Sequence, residues 1–230
     1  MSSINPPALT IHGSCNGIFL ITAFYQYERI CLWNPSTREY KDISEQFSKT
    51  PKYPSELYEY EWIGYWLGYD LSTDDYKVIR IAYHYNYNAA CICDVHVYSM
   101  RTDSCNRIQQ YIAYTIYGVV PFDSACTPGG ILLNGAIHWL GKHASTCWKI
   151  VTFDLANEDF KDFQLPGDVV SSKSIRLGMF EDCLCAYNVN KDNYYMVKFK
   201  LKETSISPSF VEELLDDHGD VSQSSLKLSR

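Results

Sequence analysis

The chain has 230 residues, 46% of them apolar, 15% aromatic and 20% charged, which is enough to bury a core and excludes disorder throughout. Its 20 Lys and Arg against 27 Asp and Glu give a net charge of -7, so it lacks the cationic excess of a phosphate-tracking surface and nucleic acid is not the expected partner. The longest apolar stretch, Ile18 to Phe24, falls far short of the roughly 20 residues of a membrane helix; Met1 to Pro7 lacks the charged and apolar regions of a signal peptide, so a soluble protein of the cytoplasm or nucleus is expected, with no membrane partner.

Nineteen Tyr, ten Phe and five Trp, with no long window rich in Ala, Leu, Glu and Lys, predict an all-β fold. In chain order, the first strand candidate is Gly17 to Phe24, opened by an Asn-Gly turn. A strand ending at Trp33 leads into the polar turn Asn34-Pro-Ser-Thr37 and a partner strand through Tyr40 and Ile43. Glu45 to Trp66 reads as an insertion loop. Tyr76 to Tyr83 is the next strand, followed by one ending at Tyr98 before the turn Ser99 to Asp103. A second insertion covers Tyr111 to Gly130, then come Asn134-Gly135 and a strand to Gly141, and a strand ending at Phe153 before the turn Asp154 to Glu158. Cys183 to Tyr187 and Tyr194 to Leu201 are the last strand candidates, the latter without a clear turn. Residues 1–12 form a short lead, 13–203 the β domain and 204–230 a polar tail, in which Ser207-Pro208 is placed to start one short helix through Leu215.

Three of these segments align without gaps when Asn34, Ser99 and Asp154 are taken as the origin. An aromatic residue precedes each (Trp33, Tyr98, Phe153), and Thr37, Thr102 and Asn157 stand three places on. Each unit is therefore a hairpin whose turn is fixed by short side-chain oxygens. The strands entering the turns are apolar on both faces, as strands are when small sheets stack face to face. The recurrence is close to the period of about 50 of kelch-type blades, and a six-blade ring would need about 300 residues, so about four sheets are expected. The predicted architecture is an incomplete or irregular β-propeller-like, kelch-related stack of small antiparallel sheets, with open edges that favour association.

No residue pattern predicts catalysis. Cys91-x-Cys93 with His96, and Cys183-x-Cys185, come nearest to ligand sets, but zinc sites favour a two-residue spacer at a turn, and a regular strand turns His96 away from both cysteines. Nine cysteines, an odd number inside apolar runs, read as reduced core residues. The six histidines lack any His-Glu-x-x-His or nucleophile-elbow context, and His138 reads as a satisfied core or rim residue. No cofactor, metal or enzymatic activity is expected. The candidate partner-binding residues are Tyr58, Tyr60, Trp62 and Tyr65, interleaved with glutamates, then Tyr83, Tyr85 and Tyr87, and His143 in the turn after Gly141. Packing on one face of an extended hairpin is the competing reading for these tyrosines, and the sequence leaves both open.

Gly13-Ser-Cys-Asn-Gly17, Leu32-Trp-Asn-Pro-Ser-Thr-Arg-Glu-Tyr40, Gly68-Tyr-Asp70 with Asp75-Tyr-Lys-Val-Ile79, Val95 to Ser104, Asn134-Gly-Ala-Ile-His-Trp139 and Phe153-Asp-Leu155 occur in that order. Together they resemble the F-box-associated, kelch-related domain of plant F-box proteins, and within it the S-locus F-box group, over about residues 13 to 201. The resemblance implies a non-catalytic, substrate-recognition domain of an SCF-type ubiquitin ligase, and for the S-locus group a basic secreted ribonuclease as the recognised protein in self-incompatibility. The few residues before Gly13 hold no F-box, so binding to a Skp1-type adaptor is expected only if an F-box is supplied upstream. The alternative is a truncated, decoy-like protein that binds partners without recruiting a ligase.

Overall fold

A computed structural model describes residues 8–24, 28–48, 60–86, 89–108, 114–116, 129–143, 148–165, 175–180, 182–190, 193–199, 211–215 and 221–223. The strands form four antiparallel sheets in chain order. The first holds β1 (Ala8–Cys15), β2 (Ile18–Phe24), β3 (Glu28–Asn34) and β4 (Glu39–Asp42). The short helix α1 (Ser44–Ser48) leads to the second, made of β5 (Tyr60–Asp70), β6 (Asp75–Asn86), β7 (Ala89–Ser99) and β8 (Ser104–Ile108). In the third, β9 (Tyr114–Ile116) and β10 (Ile131–Leu133) share one edge of β11 (Ala136–His143), followed by β12 (Trp148–Asp154) and β13 (Asp159–Gln164). The fourth holds β14 (Ile175–Phe180), β15 (Cys183–Asn190), β16 (Asn193–Phe199), β17 (Val211–Leu215) and β18 (Val221–Gln223). The four sheets agree with the architecture expected from the repeat.

The repeated hairpin has one geometry. Asn34 pairs with Glu39, Ser99 with Ser104 and Asp154 with Asp159, so four residues turn the chain each time. The origin side chain accepts from backbone within the turn: Asn34 Oδ1 from Ser36 N at 3.0 Å, Ser99 Oγ from Thr102 N at 3.2 Å, Asp154 Oδ1 from Asn157 N at 3.0 Å. The fourth turn residue is left-handed, with φ of 62° at Arg38, 52° at Asp103 and 53° at Glu158. A fourth copy of this turn, not among the aligned segments, joins β5 to β6: Asp70 pairs with Asp75, accepts from Ser72 N at 2.9 Å, and Asp74 has φ 52°. Asn16-Gly17 and Asn134-Gly135, with positive φ at both residues, make the two-residue hairpins read from the sequence.

Each sheet sends its two faces to fixed destinations. In β3, β7 and β12 the residues before the turn alternate: Ile30 and Leu32, Val95 and Val97, and Ile150 pack toward the next sheet, whereas Tyr98 and Phe153 pack toward the preceding one. Strand β5 is covered on both sides, with Tyr65 and Leu67 packed against the first sheet and Trp66 against Trp139 and Leu155 of the third. The glycines at 64 and 68 make room there. A Cβ on Gly64 would lie 2.3 Å from the Trp66 ring, and one on Gly68 2.5 Å from Leu155 Cδ1. Helix α1 fills the gap between the first two sheets, where Phe47 meets Tyr65 and Tyr98 at ring distances of 6.2 and 6.3 Å.

Two expectations need correction. The segment 60–66 is not insertion loop but the first half of β5, because the alternation of Tyr60 to Trp66 continues the strand and β6 pairs along its full length. The helix expected to run through Leu215 is strand β17, since the free edge of β16 offers hydrogen bonds in register from Val211 opposite Lys198 to Leu214 opposite Tyr195. A short helix is marginal alone, and the tertiary partner decides.

Candidate protein-interaction surface

Strand direction gives the stack two unlike ends. The four-residue turns and both Asn-Gly turns lie at one end, and the strand ends at Phe24, Glu28, Tyr60, Asn86, Ala89, His143, Trp148 and Ile175 lie at the other.

The tight-turn end is locked by buried charge. Lys77, on β6, donates Nζ to Leu155 O at 2.6 Å and pairs with Asp70 at 3.1 Å and with Glu158 of the third sheet's turn at 2.9 Å. Burial alone would lower the Lys77 pKa, but the two carboxylates outweigh it and raise the pKa. Burial likewise opposes ionisation of Asp70, yet hydrogen bonds from Ser72 and Thr73 and the Lys77 ammonium hold its carboxyl well below the usual range. Buried Asp75 accepts from Ser99 Oγ and from Arg101 N at 2.8 Å, which ties the β7–β8 turn to β6. Lys41 of the first sheet reaches Asp103 at 2.9 Å, and Tyr98 Oη donates to the same carboxylate at 2.8 Å. In the sequence, Asp75-Tyr-Lys77 stands out only as part of a motif. Its work is to join successive sheets.

Of the candidate binding residues, Tyr60, Trp62, Tyr85 and His143 belong to the opposite ends of their strands. Register brings Tyr60 opposite Tyr85 and Trp62 opposite Tyr83 on β5 and β6, while His143 closes β11 opposite Tyr114, in a strand rather than a turn. Tyr58 and Tyr87 lie outside the described residues. Tyr65 and Tyr83 are core residues, 4% and 1% exposed. They pack against the first and third sheets respectively, which removes their rings from any partner's reach as the domain stands. Tyr65 Oη also donates to Glu28 at 3.0 Å across the sheet interface, and burial raises its pKa further above the ordinary tyrosine range.

Cys93, His96 and His138 take structural places. Cys93 packs against the core between the second and third sheets, whereas His96 is on the other face, as strand alternation requires. Asp94 lies 3.7 Å from His96 Nδ1 and is bound by Arg107 at 2.6 Å, and burial is the main cause of the lowered His96 pKa. Among the described residues no three His, Cys, Asp or Glu are grouped to hold a metal, and no helix is long and apolar enough to cross a membrane.

His138 is buried with both nitrogens used: Nε2 donates to Leu133 O at 3.3 Å, which leaves Nδ1 to accept from Thr152 Oγ1 at 2.9 Å. Burial pushes its pKa down from 6.5 to about 4. The folded state therefore favours the neutral ring, and this stability is complete above pH 6.5 and is lost as pH falls toward 4. The loss attributable to His138 between about pH 7.5 and pH 5 is about 2 kcal/mol. Urea unfolding at the two pH values checks it. His138→Gln should lower stability at both but shrink the difference between them, and an unchanged difference would remove His138 as its cause.

Comparison with known proteins identifies the architecture. A family model described as the F-box associated beta propeller domain matches residues 5–211. An F-box/kelch-repeat protein of Arabidopsis thaliana is 26% identical over 194 residues, covering 81% of this chain and 48% of the relative. F-box protein CPR1 of the same plant is 27% identical over 221 residues, covering 88% and 51%. The chain thus spans about half the length of these curated relatives. A solved structure, Bacteroides ovatus Xyloglucan PUL GH43B, aligns with TM-score 0.40 at 11% identity over 90% of this chain and 41% of that one, too distant a likeness to carry weight. With the family model covering nearly the whole chain, and with four antiparallel sheets stacked in sequence order, the protein belongs to the F-box associated β-propeller domain family.

Proposed function

We propose that this domain recognises the protein to be ubiquitinated by a plant SCF-type ligase and does no chemistry itself. The observation that carries the reading is the paired aromatic run at the end of β5 and β6, where Tyr60 faces Tyr85 across the strands and Trp62 sits one step inward, on the end of the stack away from the locked turns. Aromatic residues of this kind bury large area at low entropic cost, which is why they dominate interfaces. Family membership supports the protein-binding role. The acidic net charge of -7 favours a basic partner by steering encounter. Among basic partners, the resemblance to the S-locus group points to a secreted ribonuclease, met in the cytoplasm or nucleus.

A binding titration of the folded domain against basic ribonucleases, at low and high salt, tests this. Binding should weaken with salt, and Tyr60→Ala with Tyr85→Ala should weaken it about 30-fold, the equivalent of about 2 kcal/mol. Absence of binding at either salt by a domain with native circular dichroism would remove the ribonuclease, and affinity unaffected by the double substitution would remove the aromatic end as the surface.

A further inference from the structure

A polar row crosses the second sheet on a face that is otherwise apolar. Register sets Tyr65, Arg80, His96 and Arg107 side by side on β5, β6, β7 and β8. Alternation puts them, with Asp94, on the face that Tyr65, Val78 and Tyr98 turn toward the first sheet. There Tyr65 donates to Glu28 at 3.0 Å, and Arg107 donates to Asp94 Oδ1 at 2.6 Å. The place of His96 in its strand is structural, but its ring nitrogens are not accounted for. The residue is 1% exposed, and among the described residues neither nitrogen has a hydrogen-bond partner. A polar group buried in this way costs stability and calls for a partner.

Geometry and charge limit what that partner can be. Asp94 Oδ2 lies 3.7 Å from His96 Nδ1, too far for a direct hydrogen bond but the span of two bonded polar atoms each held at about 2.8 Å. The charges of the row balance, Arg80 and Arg107 against Asp94 and Glu28, so an added ion of either sign meets two like charges and a neutral group fits. Burial, helped by the two guanidiniums and opposed by Asp94, lowers the His96 pKa and keeps the ring neutral, able to offer one N–H.

We propose that Asp94 and His96 form a receptor for a primary carboxamide, the side chain of an asparagine or glutamine on the recognised protein, which donates an N–H to Asp94 Oδ2 and accepts Nδ1–H of His96 on its carbonyl. The anchor rests on the protein-recognition role proposed above. A primary amide presents N–H and C=O on one edge, whereas a trans peptide group holds them on opposite sides, so backbone amides do not fit. Entry is from the outer flank. Arg107, on the edge strand β8, is 34% exposed, and rotation of its side chain uncovers Asp94.

The ring nitrogen signals of His96 in the purified protein, followed by nuclear magnetic resonance and assigned by their loss in His96→Leu, test this. Acetamide should shift them saturably, in about the millimolar range for so small a ligand. N-methylacetamide should bind about tenfold more weakly or worse, having no edge with both groups. N-acetylasparagine methylamide should bind as acetamide does, and its aspartate counterpart should not. Absence of a saturable shift with acetamide, or equal shifts with N-methylacetamide, would overturn the receptor whatever the ribonuclease titration shows. Preference for acetate or methylguanidinium would overturn it in favour of an ion site. Binding of acetamide without the asparagine derivative would overturn the protein side chain as ligand in favour of a free small amide.

Discussion

Replacing Lys77 by methionine should destabilise the domain by about 3–5 kcal/mol, the usual cost of removing one member of a buried ion pair. The methionine matches the length and keeps the packing, so the cost comes from what is left behind. Asp70 is buried and would lose its ammonium partner, while Glu158 and the Leu155 carbonyl would lose a donor at 2.9 and 2.6 Å. Because Lys77 joins β6 to the β12–β13 turn, the loss falls on the contact between two sheets rather than on one hairpin. Asp70→Asn in the methionine background should cost less than the sum of the two single changes by about 1–3 kcal/mol, since the stranded charge is gone. Urea unfolding of the three variants reads these differences. A cost below about 1 kcal/mol for Lys77→Met would show that water reaches the site and that the lock is weak.

Trp66→Ala is expected to cost about 3–5 kcal/mol, as for other large-to-small changes in a packed core. The indole meets Trp139 edge to face at 5.1 Å and fills the space between the second and third sheets. The same ring makes Gly64 intolerant of a side chain. A Cβ there would lie 2.3 Å from Trp66 Cη2 and 2.8 Å from Cζ3, and a fused ring held by Trp139 cannot yield as a flexible chain end would. Gly64→Ala should therefore cost about 1–3 kcal/mol. In the Trp66→Ala background, the same substitution should cost little, because the methyl enters the space the indole has left. Equal cost of Gly64→Ala in both backgrounds would contradict this.

The sequence carried the hairpins legibly because their determinants are local. A short side-chain oxygen hydrogen-bonds backbone two or three residues on, and an aromatic residue just before it enters a sheet interface, so Asn34, Ser99 and Asp154 align by eye. The turn at Asp70 has the same marks, with Tyr69 before it and Thr73 three places after, but it joins the first two strands of its sheet and so falls off the spacing of the others. Less legible was whatever depends on distant partners. Ser207-Pro208 is a fair local signal for a helix start, and only the free edge of β16 makes the following segment a strand. Tyr65 and Tyr83 look like interface tyrosines in sequence, since nothing local tells which of two apolar sheet faces a neighbour covers. Lys77 was visible in a motif, while its carboxylate partner on the third sheet stands far along the chain.

The unlike ends of the stack also have unlike tolerance for change over generations. At the locked end, one inserted residue would break a turn's hydrogen bonds and slip a register, turning a strand's buried face outward. The stretches 49–59, 109–113 and 166–174 of the sequence separate the elements of one sheet from those of the next, and a change in their length leaves each sheet's pairing intact. Drift in length and composition can therefore accumulate at one end while the other holds the strands in place. Copies of such a gene can vary the surface at that end without first re-solving how the chain folds.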